Sequence, residues 1–248
     1  MALMSSLHPE SNVAVIGASG GIGRAFVELL ADDAGVRQVH AMCRVPGDWQ
    51  HSKVVSHRLD LVDEESIEAA AAAATREVPL DLVIVATGIL HRGDRVRPEK
   101  AMRELDPESL TEVKAVNAIG PTLAAKHFLP RLRRRHKAVF AALSARVGSI
   151  GDNRLGGWTA YRMSKAALNM LVRTAAIEQA RTARESVVVA LHPGTVSTEL
   201  SRPFTERVQE SKLFTPQLAA TRLLGVLDGL VPEQTGGFFA YDGSRIDY

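Results

Sequence analysis

The chain alternates short, consecutively apolar runs with longer stretches in which apolar positions recur every three or four residues. The runs Val13–Ile16, Val36–Met42, Lys53–Leu59, Leu82–Ala86, Val139–Leu143, Val187–Leu191 and Phe238–Tyr241 predict seven strands. Several are apolar throughout, as strands buried on both faces require. Between them the helical period predicts helices near Ile22–Ala31, Glu64–Thr75, Pro107–Arg134, Thr159–Thr182 and Pro216–Leu230. Two helix starts are well marked. In Asp106-Pro107-Glu108 a capping carboxylate precedes a proline at the first helical position, and Thr215-Pro216 repeats the device. The alanine run Ala69–Ala74, after Asp63-Glu64-Glu65, suits a helix packed closely on a sheet. Strand, helix and parallel strand in repetition predict an α/β architecture, a doubly wound parallel sheet of about seven strands with helices on both faces.

No internal repeat and no Pro/Gly/Ser-rich linker divides the 248 residues, of which 46% are hydrophobic and 23% charged, so one domain over 1–248 is expected. A net charge of +2 gives no strong sign of a nucleic-acid or membrane partner. The dense basic run Arg131–Lys137 follows a helical stretch, where cations suit the negative end of the dipole, and reads as a solvated helix terminus. Cys43 is the only cysteine, which excludes an intrachain disulfide and a cysteine-based metal site. His91, His127 and His192 lack metal-ligand spacing, and no metal is expected. The segment Met1–Glu10 carries no signal-peptide pattern and no apolar run reaches membrane-spanning length, so the cytoplasm is the default compartment.

Candidate chemistry begins directly after the first strand, with Gly17-Ala18-Ser19-Gly20-Gly21-Ile22-Gly23 opening into an apolar helix. Glycines in a strand–helix turn let backbone N–H groups approach a pyrophosphate, whose charge the helix N-terminus favours. This predicts a Rossmann-type dinucleotide site. At the end of the second strand a carboxylate would bind a free ribose 2′-hydroxyl and repel a 2′-phosphate, whereas this chain has Cys43-Arg44 and no acid before Asp48. The Arg44 guanidinium offers a planar fork for the phosphate, so NADP(H) is expected over NAD(H). Asp60, ending the third strand, is placed to accept from the adenine amino group; the competing role of helix cap suits Asp63 better. Tyr161 and Lys165 stand four residues apart and so share a helix face. A phenol is a poor acid, with a pKa near ~10, and an ammonium nearby favours the phenolate, easing proton transfer during carbonyl reduction.

With these features in order, the chain resembles the short-chain dehydrogenase/reductase family end to end. Asn117, in Val116-Asn117-Ala118-Ile119-Gly120 with Pro130 following, matches the family's helix asparagine, and Pro193-Gly194-Thr195-Val196-Ser197-Thr198 matches its nicotinamide-clasping motif. Gly148–Asn153, Gly156-Gly157-Trp158 and Ser164–Asn169 resemble more narrowly the C-factor/sniffer-type carbonyl reductase branch, some members of which are linked to developmental signalling. The resemblance implies that Tyr161 protonates the substrate oxygen as hydride leaves the nicotinamide. Lys165 would lower the tyrosine pKa and hold the nicotinamide ribose, and Asn117 would position a relay water. It also implies a cofactor site of Gly17, Ser19, Gly20, Gly21, Ile22, Gly23, Arg44, Asp60, Leu61, Ala86, Thr87, Gly88, Tyr161, Lys165, Pro193, Gly194, Val196 and Thr198.

Two departures from the family pattern stand out. Aligned on Gly148, the usual catalytic serine is Ala145, and Ser144 stands one residue earlier. In a regular strand that offset reverses side-chain direction; Ser144 is the expected fourth catalytic residue if a bulge turns it, with Ser149 the weaker alternative. The usual N-N-A-G at the end of the fourth strand reads Val85-Ala86-Thr87-Gly88. A substrate lid is expected over 199–214, with Leu200, Pro203, Phe204, Leu213 and Phe214 as an apolar wall, Arg202 and Arg207 at its rim, and Trp158 adding an aromatic face; core burial explains those aromatics equally well. The expected substrate is a small hydrophobic or aromatic carbonyl or alcohol. The competing reading is an NADP(H)-binding signalling or regulatory protein with little turnover. From the resemblance, a homodimer or homotetramer paired through the long helices Pro107–Arg134 and Thr159–Thr182 is expected.

Overall fold

The structure, a computed structural model, describes residues 3–206 and 209–248; Arg207 lies outside them. The strands are β1 (Ser11–Ile16), β2 (Val36–Cys43), β3 (Val54–Arg58), β4 (Leu82–Val85), β5 (Ala138–Leu143), β6 (Ser186–His192), β7 (Thr195–Val196), β8 (Leu213–Phe214) and β9 (Phe238–Ala240). Those foreseen from the sequence form one seven-stranded parallel sheet in the order β3-β2-β1-β4-β5-β6-β9. The chain winds outward from β1 to β3, then crosses back to β4 and winds the other way. The order therefore reverses between β1 and β4, which is where a ligand crevice opens in such sheets.

Every residue of β1, β4 and β5 is buried, whereas β3 is partly exposed because it forms an edge. Along the buried strands alternate residues serve two cores. Ala14 and Ile16 pack with α2 (Glu64–Ala74), α4 (Gly120–Phe128) and α5 (Thr159–Gln179), through Ile67, Ala71, Phe128 and Leu168. Val13 and Val15 pack with α1 (Gly21–Asp32) and α6 (Pro216–Gly229), through Phe26, Leu30, Leu223 and Leu227. In the alanine run, Ala70, Ala71 and Ala74 are buried, giving α2 the close approach their small size allows. The capping side chains are in place: Asp63, Asp106 and Thr215 accept from Ser66, Ser109 and Leu218 backbone N–H groups respectively.

The stretch expected as one helix over Pro107–Arg134 is divided. It runs as α3 (Pro107–Lys114), a π turn over Ala115–Ile119, α4, and a 3₁₀ turn over Leu129–Arg131. Pro121 has no N–H for the carbonyl four residues before it, that of Asn117, and the wide turn absorbs the missing bond. A Cβ on Gly120 would stand 2.5 Å from Leu61 Cβ, so only glycine lets α4 pass the loop after β3. The basic run after α4 is only partly solvated. Arg133 donates twice to the buried carboxylate of Asp81, and Lys137 Nζ donates to the Leu227 and Asp228 carbonyls at 2.8 and 2.7 Å, capping the last turn of α6. The two-stranded ribbon β7–β8, which the sequence pattern did not predict, closes the base of the segment over 197–212.

Candidate active site

The crevice at the β1/β4 reversal is a cleft of about 1010 Å³. Its lining includes Gly17, Ser19, Gly20, Arg44, Asp60, Leu61, Ala86, Thr87 and Gly88, nine of the residues assigned to the cofactor from sequence. Gly17 adopts φ +92, and a Cβ there would stand 2.7 Å from Thr87 Cγ2 and 3.0 Å from the Ala86 carbonyl oxygen. The loop after β1 thus presses against the end of β4 in a backbone conformation that favours glycine. The N-cap of α1, Gly20, makes no side-chain cap bond, which leaves the first-turn N–H groups to an anion. Arg44 is exposed at the cleft edge. Asp63 caps α2, whereas Asp60 lines the cleft; among the described residues its Oδ1 accepts from Val62 N–H, at 3.2 Å. The Thr87 hydroxyl is buried without a hydrogen-bond partner among the described residues, a donor and acceptor at the wall of the cleft.

The remaining assigned residues lie outside that lining. Gly21, Ile22 and Gly23 form the first turn of α1. Thr198 sits over that turn, its Cγ2 2.9 Å from where a Cβ on Gly21 would stand. Pro193 and Gly194 follow β6, Gly194 with φ +78 against Phe214, and Val196 is buried in β7.

Tyr161 and Lys165 occupy the buried face of α5. Lys165 Nζ donates to the Leu143 carbonyl at 2.8 Å and lies 5.7 Å from the centre of the Tyr161 ring. It also stands 3.4 Å from where a Cβ on Gly88 would be, with Asn117 Oδ1 at 3.5 Å and Leu200 Cδ1 at 3.9 Å from the same point. The ends of β4 and β5, the π turn, α5 and the segment after β7 therefore meet at one place. Asn117 accepts from Ile89 N–H and donates to the Ile89 carbonyl, both at 2.8 Å, and donates to Ser164 Oγ at 3.1 Å. Its side chain stitches the β4 loop to α5 beside Lys165.

Burial decides the ionisation of this pair. It raises the Tyr161 pKa well above that of a free phenol and lowers Lys165 to about 8. The sequence reading had the ammonium depressing the tyrosine; here desolvation outweighs that attraction, the phenol stays protonated, and Lys165 remains mainly an ammonium at neutral pH.

Ser144 is buried, and its hydroxyl donates to Asn169 Oδ1 at 2.7 Å, while Asn169 Nδ2 donates to the Gly148 carbonyl. Ala145 follows in extended backbone (φ −146, ψ 146), so its methyl points the opposite way. No bulge turns Ser144 round; its hydroxyl is committed to α5. Ser149 Oγ accepts from Asp152 N–H in the loop that follows.

The expected aromatic wall is partly assembled. The Trp158 ring meets Tyr161 edge-on at 6.4 Å and Phe204 at 5.1 Å. Phe204 also packs on His91 at 5.9 Å, and a His91 ring nitrogen lies 3.1 Å from the Glu199 carbonyl oxygen. His91 had no role in the sequence reading, and its hold on the 199–204 segment is a contact that residue spacing does not signal. Phe214 belongs elsewhere: it is buried with Val196 and Ala219, packs on Tyr241 at 4.7 Å, and carries the Arg222 guanidinium 4.5 Å above its ring. Leu213 lies beside it in β8, while Pro203 and Arg202 are exposed.

A doubly wound sheet, a glycine loop at its reversal and a buried Tyr–Lys pair on one helix face define a dinucleotide-dependent oxidoreductase. The family model described as short chain dehydrogenase matches residues 11–209, and the chain belongs to that family. It is 31% identical over 241 residues to the 1-hydroxy-2-glutathionyl-2-methyl-3-butene dehydrogenase of Rhodococcus sp., covering 96% of this chain and 100% of that one. It is 36% identical over 148 residues to C-signal of Myxococcus xanthus, covering 60% of this chain and 84% of that one. Among solved structures, an NADPH-bound carbonyl reductase from chicken fatty liver superposes with a TM-score of 0.83 at 30% identity, covering 96% and 99% of the two chains.

Proposed function

We propose that the protein is an NADP(H)-dependent carbonyl reductase acting on small hydrophobic, preferentially aromatic, carbonyl compounds. The observation that carries this is the convergence of Lys165 and Asn117 on Gly88, which lines the same cleft as Arg44, with Tyr161 on the face of α5 that carries Lys165. NADP(H) supplies the hydride when bound. The glycine loop and α1 would hold its pyrophosphate, Arg44 its 2′-phosphate, and Asp60 its adenine amino group. Tyr161 donates its phenolic proton to the substrate oxygen; burial keeps that proton in place until charge develops there. Lys165, held on the Leu143 carbonyl, would bind the nicotinamide ribose and would stabilise the phenolate that forms. Asn117 keeps the β4 loop and α5 in register. Ala145 leaves Tyr161 as the principal donor to the carbonyl, and Ser144 acts by fixing α5.

Trp158, Phe204 and Leu200 form the substrate wall, and the segment 199–204 is its lid on a single domain. The edge-on aromatic stack beside Tyr161 favours a flat aromatic ketone or dione over an aliphatic one. Steady-state oxidation of NADPH and NADH against aromatic and aliphatic ketones tests this. Turnover with NADPH and an aromatic dione is expected. Tight NADPH binding with no turnover across the panel would leave the regulatory reading in its place.

The outer face of α5 offers a self-association surface. Met163, Met170 and Ile177 recur every seven residues and are 57%, 66% and 47% exposed, and Ile119 of the neighbouring π turn is 48% exposed. A stripe of that size on one helix face suits a homodimer through α5. Sedimentation of Met170→Glu as a smaller species than the wild type is the expected result.

A further inference from the structure

We propose that Glu99 is a positioning residue for Tyr161, serving from the loop after β4 as the N-cap that α5 lacks. The inference rests on the reading of Tyr161 as the proton donor.

Helix α5 begins in an unusual way. Gly156, Gly157 and Trp158 all have left-handed backbone, with φ 64, 65 and 52. Trp158 stands at the N-cap with φ 52 and ψ 40, and makes no side-chain cap bond. An indole has no acceptor to offer, and a left-handed non-glycine residue persists only where its surroundings hold it. The first N–H groups of a helix still need partners.

Glu99 supplies two of them. Its carbonyl accepts from Trp158 N–H at 2.6 Å, and its carboxylate Oε2 accepts from Ala160 N–H at 3.3 Å. Ala160 is the second helical residue, whose N–H an N-cap side chain ordinarily takes. The Glu99 side chain thus completes the cap that Trp158 cannot.

The placement of Glu99 indicates that this is more than a surface contact. The residue is only 4% exposed, and its second oxygen, Oε1, is buried without a hydrogen-bond partner among the described residues. Burying an acid with so few bonds is costly. What favours it here is the positive end of α5, so helix and carboxylate stabilise each other. Tyr161 is the third residue of the same turn, and the Trp158 ring rests against it. A shift of the turn is delivered to the phenolic oxygen at the tip of a long, rigid side chain. The same loop reaches the cofactor: Ile89 lines the cleft and is pinned by Asn117, and Val96 packs with Ala160. Glu99 therefore ties the start of the catalytic helix to a loop that borders the adenosine half of the groove.

The test compares full-length Glu99→Ala and Glu99→Gln. Measured are kcat with NADPH and an aromatic dione as probe, the NADPH dissociation constant from nucleotide fluorescence, and Tm. Glutamine keeps an acceptor oxygen at the same reach without the charge. A misplaced donor costs on the order of ten- to a hundredfold in rate, so Glu99→Ala is expected to lose kcat by about that much. NADPH binding should stay within about threefold, as expected when an interaction serves the transition state rather than the cofactor. Glu99→Gln should recover kcat to within about threefold of the wild type, because the lost acceptor is restored. Wild-type kcat in Glu99→Ala, or equal impairment of a folded Glu99→Gln, overturns the proposal. If Glu99→Ala does not fold, Glu99→Asp takes its place: one methylene shorter, it must lose kcat where Glu99→Gln keeps it, and equal rates overturn the proposal. Tyr161→Phe run alongside separates the two ideas. A full rate in that variant removes the proton-donor reading and this inference with it, whereas a lost rate there beside an unaffected Glu99→Ala removes only the role of Glu99.

Discussion

The half of the groove over β1 to β4 is an open cleft of about 1010 Å³, walled by glycines, by apolar residues such as Leu59, Leu61 and Ile89, and by the exposed Arg44. The Tyr161 and Lys165 side chains are buried, and Lys165 stands with Asn117 and Leu200 around Gly88. On the proposed function the first half would bind, needing access of backbone N–H groups and a cation to phosphate. The second would react, needing exclusion of water, in keeping with the opposite pKa shifts of the phenol and the amine. Substitutions in the two halves should therefore separate affinity from rate.

The largest effect is expected from Lys165→Met, which removes the cation beside the forming phenolate. Its kcat should fall by at least about a hundredfold with NADPH binding weakened far less; equal losses in both would erase the contrast. Next is pH. With Lys165 titrating at about 8 in the free protein, kcat/KM for NADPH should decline as pH rises through that value, since reduction needs the ammonium. A flat profile between pH 7 and 9 would move the contribution of Lys165 elsewhere.

The open half also rests on a neutral pair of histidines. His40 in β2 lies 2.8 Å from His57 in β3 through Nδ1 and Nε2, and 2.9 Å from Asn12 Oδ1 through Nε2. Asn12 donates its amide to the Ala74 and Val78 carbonyls, so its oxygen accepts, His40 Nε2 carries the proton, and His40 Nδ1 accepts from His57. Burial lowers His40 to about 4, and it lowers His57 as well. Below the ordinary histidine pKa the unfolded chain then binds more protons than the folded one. Stability is full above about 6.5 and falls as pH drops toward 4, by on the order of 2–3 kcal/mol for His40 alone. Half-buried His192, also lowered to about 4, adds in the same direction. Urea unfolding at pH 7 and 4.5 measures the loss, and His57→Gln should lessen it. The smallest effect is Arg44→Ala. Losing one exposed charged contact should weaken NADPH by roughly 1–3 kcal/mol and leave NADH nearly unchanged. Equal weakening of both would remove the 2′-phosphate from Arg44.

The two halves also differed in how far the sequence revealed them. The glycine loop, Arg44, Asp60 and Gly88 were legible because each sits at a strand end, and strand ends follow from apolar runs. The helix caps at Asp63, Asp106 and Thr215 were legible for the same local reason. The catalytic half was legible only as a list of residues. That the 107–134 helix opens into a π turn at Asn117 depends on Pro121, whose effect falls four residues upstream. The left-handed turn at Trp158 has no residue-type signal, since tryptophan rarely adopts that backbone. Glu99 and Ala160, like His91 and Glu199, meet across long sequence separations that periodicity does not encode. Strand alternation posed the question of Ser144, and the structure has its hydroxyl on Asn169 with extended backbone at Ala145.

The central claim, that one half binds while Tyr161 reacts, is tested most directly by Tyr161→Phe. The NADPH dissociation constant and the single-turnover rate of dione reduction are measured on the same sample. Binding within about threefold of the wild type and a rate lower by at least about a hundredfold are predicted. An unchanged rate would contradict the account, as would a parallel collapse of binding and rate.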